Sequence, residues 1–253
     1  MLYSTPGRDN GELADVVKAA SKGKFTEYIN DVSNKYGKTN LQTRQAFERN
    51  GVNYDQWIKP NVPDVEFEVD GKQCHIKMWD RNPQEDMFLG SKTSCCTALD
   101  RTNGGSMAVY MLNTSYNVVE LCDAKGDVVG MSRVFMANVD GKPTLIMDNI
   151  ELNHGFIKGM NFDSDIKDIR DNFFKYMNTY AEKITGDPNA QVLFYSGDIH
   201  VPNGDLTKVN KSIDFLGDIH REEVYVNAVH CSYHNPAKLK DVGNITWLQV
   251  PKK

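Results

Sequence analysis

The sequence predicts an α/β fold of the α+β kind: a mixed, mostly antiparallel central sheet flanked by helices, with an N-terminal helical arm. Three observations point to it. Residues 64–78 and 118–152 alternate apolar and polar side chains with a period of two, broken by Asp-Gly and Asp-x-x-Gly turns, the signature of antiparallel hairpins. Residues 164–185 step their apolar side chains by three and four, and a short apolar run follows at 191–195, so a long helix joins two strands. Residues 1–58 show only helical spacing, punctuated by glycines.

In the arm, Leu13, Val16, Val17 and Ala20 share one helical face, and Gly23 ends it. Phe25, Tyr28, Ile29, Val32 and Tyr36 make a second face before Gly37, and Asn40 can cap a third short helix through Phe47, ended by Gly51. Three short helices are therefore expected. Residues 52–63 read as a docked linker, in which Tyr54 and Trp57 pack while Pro60 and Pro63 stop regular structure. The expected division is 1–63 for arm and linker and 64–253 for the main domain.

Val65, Phe67 and Val69 open the main domain, Asp70-Gly71 turns the chain, and Cys74, Ile76 and Met78 return beside it. The Ser-, Thr-, Asn- and Gly-rich stretch after Asp80 reads as two short helical regions, one around 86–89 with 95–99 and one around 106–112. A three-strand meander follows at 118–122, 128–136 and 144–152. In the long helix Ile166, Ile169, Phe173, Met177, Tyr180 and Ile184 form the apolar face; Asp163 or Ser164 can cap its start, and Gly186 and Pro188 mark its end. Leu206, Val209, Ile213 and Leu216 keep helical spacing, so a further helix is expected over 206–216. Residues 224–229 and 245–250 are β-rich and close the chain.

Composition narrows the function classes. Lys plus Arg is 29 and Asp plus Glu is 34, a net charge of −5. Such a chain lacks the positive field that nonspecific nucleic-acid binding uses. No apolar run approaches the ~18 residues that span a bilayer, and the first residues lack the pattern of a secretory signal. Five cysteines, with no Cys-x-x-Cys pair, read as reduced thiols in a cytoplasmic protein. Neither a nucleic acid nor a membrane is an expected partner.

The order of elements, with "KGDVVGMSRVF" and "PTLIMDNIEL" in the meander, resembles the GNAT family, the general N-acetyltransferases, over about residues 64–250. The resemblance implies an acyltransferase that moves an acetyl or related acyl group from acetyl-CoA, or a related acyl-CoA, to a small-molecule or protein amine. It implies Glu151 as general base and Tyr225 as general acid. The acyl-CoA would lie along Asn149, Ile150 and Leu152 and the loop bearing His154, Gly155, Lys158 and Gly159. In the family, R/Q-x-x-G-x-G/A binds the CoA pyrophosphate there. Here "NHGFIKGMNFDSD" spaces its glycines four apart, and Asp163 and Asp165 open the helix. A non-catalytic GNAT-like module that contacts a protein partner through the arm is therefore carried alongside.

The remaining candidates rest on residue chemistry. Trp79, Asp80 and Arg81 follow the strand beside which the resembling fold lines its acceptor site. Cys95-Cys96 could supply a nucleophile if a base such as His75, His154, His200 or His230 lay beside it; the plainer reading is two small buried residues at a helix start. The repeated Gly-Asp-Ile-His at 197–200 and 217–220, and His230, Cys231 and His234, give only fragments of a ligand set, so no metal is expected.

Overall fold

The computed structural model describes residues 22–95, 97–98, 110–195, 201–211, 213–217 and 246–252. Strands β1 (Val65–Val69) and β2 (Lys72–Met78) form the first hairpin, and β3 (Asn117–Asp123), β4 (Val128–Val139) and β5 (Lys142–Leu152) form the meander. All four pairings are antiparallel. At Asp70-Gly71 and Asp140-Gly141 both residues have positive φ, the geometry that lets a two-residue turn follow the twist of its strands.

The long helix α5 (Lys167–Thr185) crosses from β5 to β6 (Gln191–Phe194), which pairs parallel to β5 as the expected crossover requires. A π-helical turn, Phe162–Ile166, precedes it, and its cap is Asn161 rather than Asp163 or Ser164. The Asn161 side chain accepts from the Asp163 and Ser164 N–H groups at 2.9 and 3.0 Å. Gly186 ends α5 in the left-handed conformation, as its position suggested.

The segment 206–216 is not helical. It forms β7 (Thr207–Asn210), paired with β9 (Thr246–Gln249), and β8 (Asp214–Phe215), paired with the far end of β4. Open strand edges gave Thr207–Asn210 hydrogen-bond partners that a short isolated helix would lack, so tertiary pairing overrode the local period. Among the described residues the strand order is β1-β2-β3-β4-β5-β6-β9-β7, with β8 beside β4. The expected strand at 224–229 lies outside the described residues, as does the first arm helix and most of the helical stretch at 106–112. No helix among the described residues is long and apolar enough to cross a membrane.

The arm also departs from expectation. Helix α1 (Phe25–Arg49) runs unbroken through Gly37, and the stop is Gly51 at φ +75°. A glycine inside a helix costs about 1 kcal/mol. Docking of the C-terminal half offsets this: Phe47 is fully buried, and Thr43 Oγ1 meets Ser115 Oγ at 2.9 Å. The Asn40 amide donates to Leu112 O and accepts from Thr114 N. Helix α2 (Tyr54–Ile58) then buries Trp57 between Phe47 and Tyr180, with its indole N–H donating to Thr114 O at 2.7 Å.

Strand register sorts the two sheet faces, because directly paired residues project to the same side. Met78, Val119, Leu121, Ser132, Ile150 and Leu152 fall on the face that meets α5, where Asn117 bonds the Tyr180 hydroxyl. Lys77, Glu120, Met131 and Glu151 form a row across the opposite face, with Arg133 beside them. Helices α3 (Pro83–Asp86) and α4 (Leu89–Lys92) and the chain after them cover this second, polar face.

Candidate functional site

The candidate site lies where β5 loses one neighbour. Pairing with β6 runs from Thr144↔Gln191 to Met147↔Phe194 and ends with the Tyr195 N–H on Met147 O. Residues 148–152 remain paired to β4, but among the described residues no strand lies on their other side. At that point the register shifts: Ser132 faces Ile150 and Val134 faces Met147, so Asp148 and Asn149 both stand opposite Arg133. Such a bulge re-aims side chains. Arg133 Nη1 pairs with Asp148 Oδ2 at 3.3 Å, and the Asn149 amide donates to Glu151 Oε1 at 2.8 Å.

The chain after α4 closes over this group. The Cys95 N–H bonds Gly90 O at 2.8 Å, folding the segment back on the helix. Gly90 makes this possible, since a Cβ there would lie 2.4 Å from the backbone of Thr97 and Ala98. Ser94 takes φ +58° immediately before Cys95. Cys95 therefore lies beyond the end of α4 and does not start a helix. Its Sγ accepts from Arg133 Nη2 at 2.9 Å, from Thr97 Oγ1 at 3.2 Å and from the Thr97 N–H at 3.5 Å. The Arg133 guanidinium also stacks over the Tyr110 ring at 5.1 Å.

Electrostatics follow from burial and neighbours. Glu151 is 8% exposed. Burial first, and then negative charge at Cys95, push its carboxyl up to about 7, against the pull of Arg133 and the Asn149 hydrogen bond. Burial opposes the charge on Arg133, but Tyr110, Cys95, Asp148 and Glu151 outweigh it and hold the guanidinium cationic. Further along the row, burial pushes Glu120 up to about 7, partly countered by Lys77 at 3.7 Å. Asp86, buried above it, is also raised to about 7, by burial and then by the Glu120 charge. Strand spacing puts Glu120 and Glu151 roughly 10 Å apart across the face. Arg133 Nε and Asn149 Oδ1 are buried with no hydrogen-bond partner among the described residues.

The loop between β5 and α5 touches the same group. The Asn153 side-chain amide donates to Lys92 O, and the His154 N–H donates to Ser94 Oγ at 3.3 Å. Asn153 Oδ1 accepts from the Gly155 and Phe156 N–H groups at 2.8 and 3.1 Å. Lys72 bonds Phe156 O and lies over the Phe156 ring. The backbone donors that an anion would use here, at Gly155, Phe156, Asp163 and Ser164, are thus already taken by Asn153 and Asn161. Side chains of His154 and Lys158 stay exposed on this loop.

Of the residues singled out from sequence, Glu151 and Asn149 come together. Ile150 and Leu152 are buried on the α5 face, main chain included, so neither presents a surface to a ligand. His154, Gly155, Lys158 and Gly159 share the loop. Trp79 is buried rather than at a rim, with its indole N–H on Asn117 Oδ1. The Arg81 fork serves the fold: it donates to Tyr116 O, Met111 O and Asn117 Oδ1 and stacks on Trp79. Asp80 is exposed and pairs with Lys77 at 2.8 Å. Tyr225, the Gly-Asp-Ile-His at 197–200, residues 218–220 of the second one, and His230, Cys231 and His234 lie outside the described residues. Arg133 and Asp148 were not singled out; the signal was a charged residue inside each apolar strand, where alternation alone left its partner unnamed. Among the described residues no group of three or more His, Cys, Asp or Glu could hold a metal ion.

No protein-family model matches the sequence, and no curated protein matches it. Among solved structures, the chain is similar to a GCN5-related glucosamine N-acetyltransferase region in a fungal multi-domain GH3 beta-N-acetylglucosaminidase. The identity is 13% and the TM-score 0.32, over 55% of this chain and 15% of that chain. This chain therefore corresponds to a small part of that protein's length. The fold stands on its own strand pairing: a mixed, mostly antiparallel sheet flanked by helices.

Proposed function

We propose that the protein is a GNAT-like acyltransferase that moves an acetyl or related acyl group from an acyl-CoA to an amine. The observation that carries this reading is Glu151, buried on the stretch of β5 that has left β6 but still pairs with β4, with its carboxyl raised to about 7. An amine acceptor is protonated at neutral pH and must lose a proton to attack a thioester. A base that titrates near neutrality is well matched to that step. Asn149 orients the carboxyl, and its free Oδ1 offers an acceptor for an amine N–H. Because Asn153 and Asn161 take the N–H groups of Gly155, Phe156, Asp163 and Ser164, we assign the pyrophosphate contacts to the Lys158 and His154 side chains.

Calorimetry with acetyl-CoA tests the reading, with Lys158→Glu as the control. This position is preferable to Gly159, whose φ of +91° would strain any other residue. Binding weakened in the variant, with thiol release in the presence of amines that is lost in Glu151→Gln, is the expected result. No binding up to millimolar acetyl-CoA would remove the acyltransferase reading. It would favour the second one, a GNAT-like module without chemistry that contacts a protein through α1, for which the self-satisfied loop is the supporting observation.

A further inference from the structure

The Cys95 cluster is not used by the base chemistry above, and its geometry is that of an activated thiol. Among the described residues, three donors converge on Sγ: the Arg133 guanidinium at 2.9 Å, the Thr97 hydroxyl at 3.2 Å and the Thr97 N–H at 3.5 Å. Donors and a fixed cation stabilise a thiolate over a thiol. Burial, the largest cause, pushes Cys74 and Cys122 up to about 11 and about 12. Two further atoms point to a ligand. Among the described residues, Arg133 Nε, on the same planar fork as the nitrogen that holds Sγ, is buried and unpartnered, and so is Asn149 Oδ1 across the bulge. Both residues are 2% exposed. A reacting carbonyl at Cys95 would give Nε an oxyanion to bond.

We propose that Cys95 accepts the acyl group and carries it as a thioester before transfer to the amine. This rests on the acyltransferase reading and deepens it. The Cys95 thiolate attacks the carbonyl carbon of the acyl-CoA. A new carbon–sulfur bond forms, the bond to the CoA sulfur breaks, and CoA leaves as its thiolate. The ammonium gives one proton to Glu151, which passes it to solvent; the neutral amine nitrogen then attacks the Cys95 thioester and loses its second proton to Glu151. The amide forms as the bond to Cys95 breaks, and the thiolate is restored. The Arg133 Nε–H meets the oxyanion in both steps. Placement favours the first transfer, because the loop bearing Lys158 is clamped to Ser94 and Lys92, directly before Cys95.

The test is intact-mass analysis of the full chain after incubation with acetyl-CoA and no amine, with calorimetric binding measured in parallel. One acetyl group on Cys95, removed by neutral hydroxylamine and absent from Cys95→Ala while that variant still binds acetyl-CoA, is the expected result. Alkylation by iodoacetamide without any donor gives a second readout. Cys95 should react before Cys74 and Cys122, and Arg133→Lys should slow it by about tenfold or more, the change that one pH unit in thiolate stability brings. Binding of acetyl-CoA with amine acylation but no Cys95 adduct, or an adduct on Cys96 alone, would overturn the inference and leave the acyltransferase reading intact. Absence of acetyl-CoA binding would overturn both.

Discussion

Replacing Glu151 by Gln should make the protein more stable at alkaline pH while abolishing its chemistry. The Glu151 carboxyl lies at about 7 in the native state against 4.5 ordinarily. Its native value is raised, so this group favours the fold below about pH 4.5 and withdraws that support as pH climbs through about 7. At about 1.36 kcal/mol per pH unit, ionised Glu151 costs the native state on the order of 3 kcal/mol above that range. Glutamine keeps the oxygen that accepts from Asn149 and has nothing to ionise. The variant should therefore match the parent near pH 4 and exceed it near pH 8. For a chain of this size the gain corresponds to roughly 6–12 °C in Tm. Urea unfolding of both proteins across that pH range checks it, and needs no substrate. A variant equal to or less stable than the parent near pH 8 would refute the raised carboxyl and, with it, the argument for a base.

Other expectations follow from the same structure. Glu120→Gln and Asp86→Asn should each stabilise the protein above about pH 7, because both carboxyls are raised to about 7; since the Glu120 charge helps raise Asp86, the double variant should gain less than the singles combined. Urea titration of the three variants near pH 8 checks this. Gly90→Ala should cost about 1–3 kcal/mol in thermal unfolding, because its Cβ would sit 2.4 Å from the Thr97–Ala98 backbone. The same change should lower Cys95 alkylation selectivity, as that backbone holds the thiol on Arg133. Gly37→Ala should raise stability by about 0.5–1 kcal/mol, since Gly37 is helical, exposed and has open space around its Cα; an unchanged or lower melting point would show that α1 is not continuous there in solution.

Much of the sheet was legible because it is written in local signals. Alternation placed β1 to β5 to within a few residues, and the two Asp-Gly turns set their register, since both residues of such a turn must accept positive φ. The α5 stripe and Gly186 were as plain. The same local rules failed where tertiary partners were decisive. Gly37 reads as a stop, yet the docking of Phe47, Thr43 and Asn40 carries the helix through it. The helical period at 206–216 yielded to open strand edges on β9 and β4.

The site divides along the same line. By itself the sequence determined Glu151 and Asn149 as neighbours on one face of β5, because a strand puts residues two apart on the same side. It also determined that the loop after β5 departs from a pyrophosphate-binding pattern. Only the tertiary structure decided that Arg133, Asp148 and Cys95 share one buried group, and that Trp79 and Arg81 belong to the core. A two-versus-one bulge, a left-handed Ser94 and a close backbone approach at Gly90 bring those residues together. Each depends on what a distant segment presses against the strand, and no period along the chain records that.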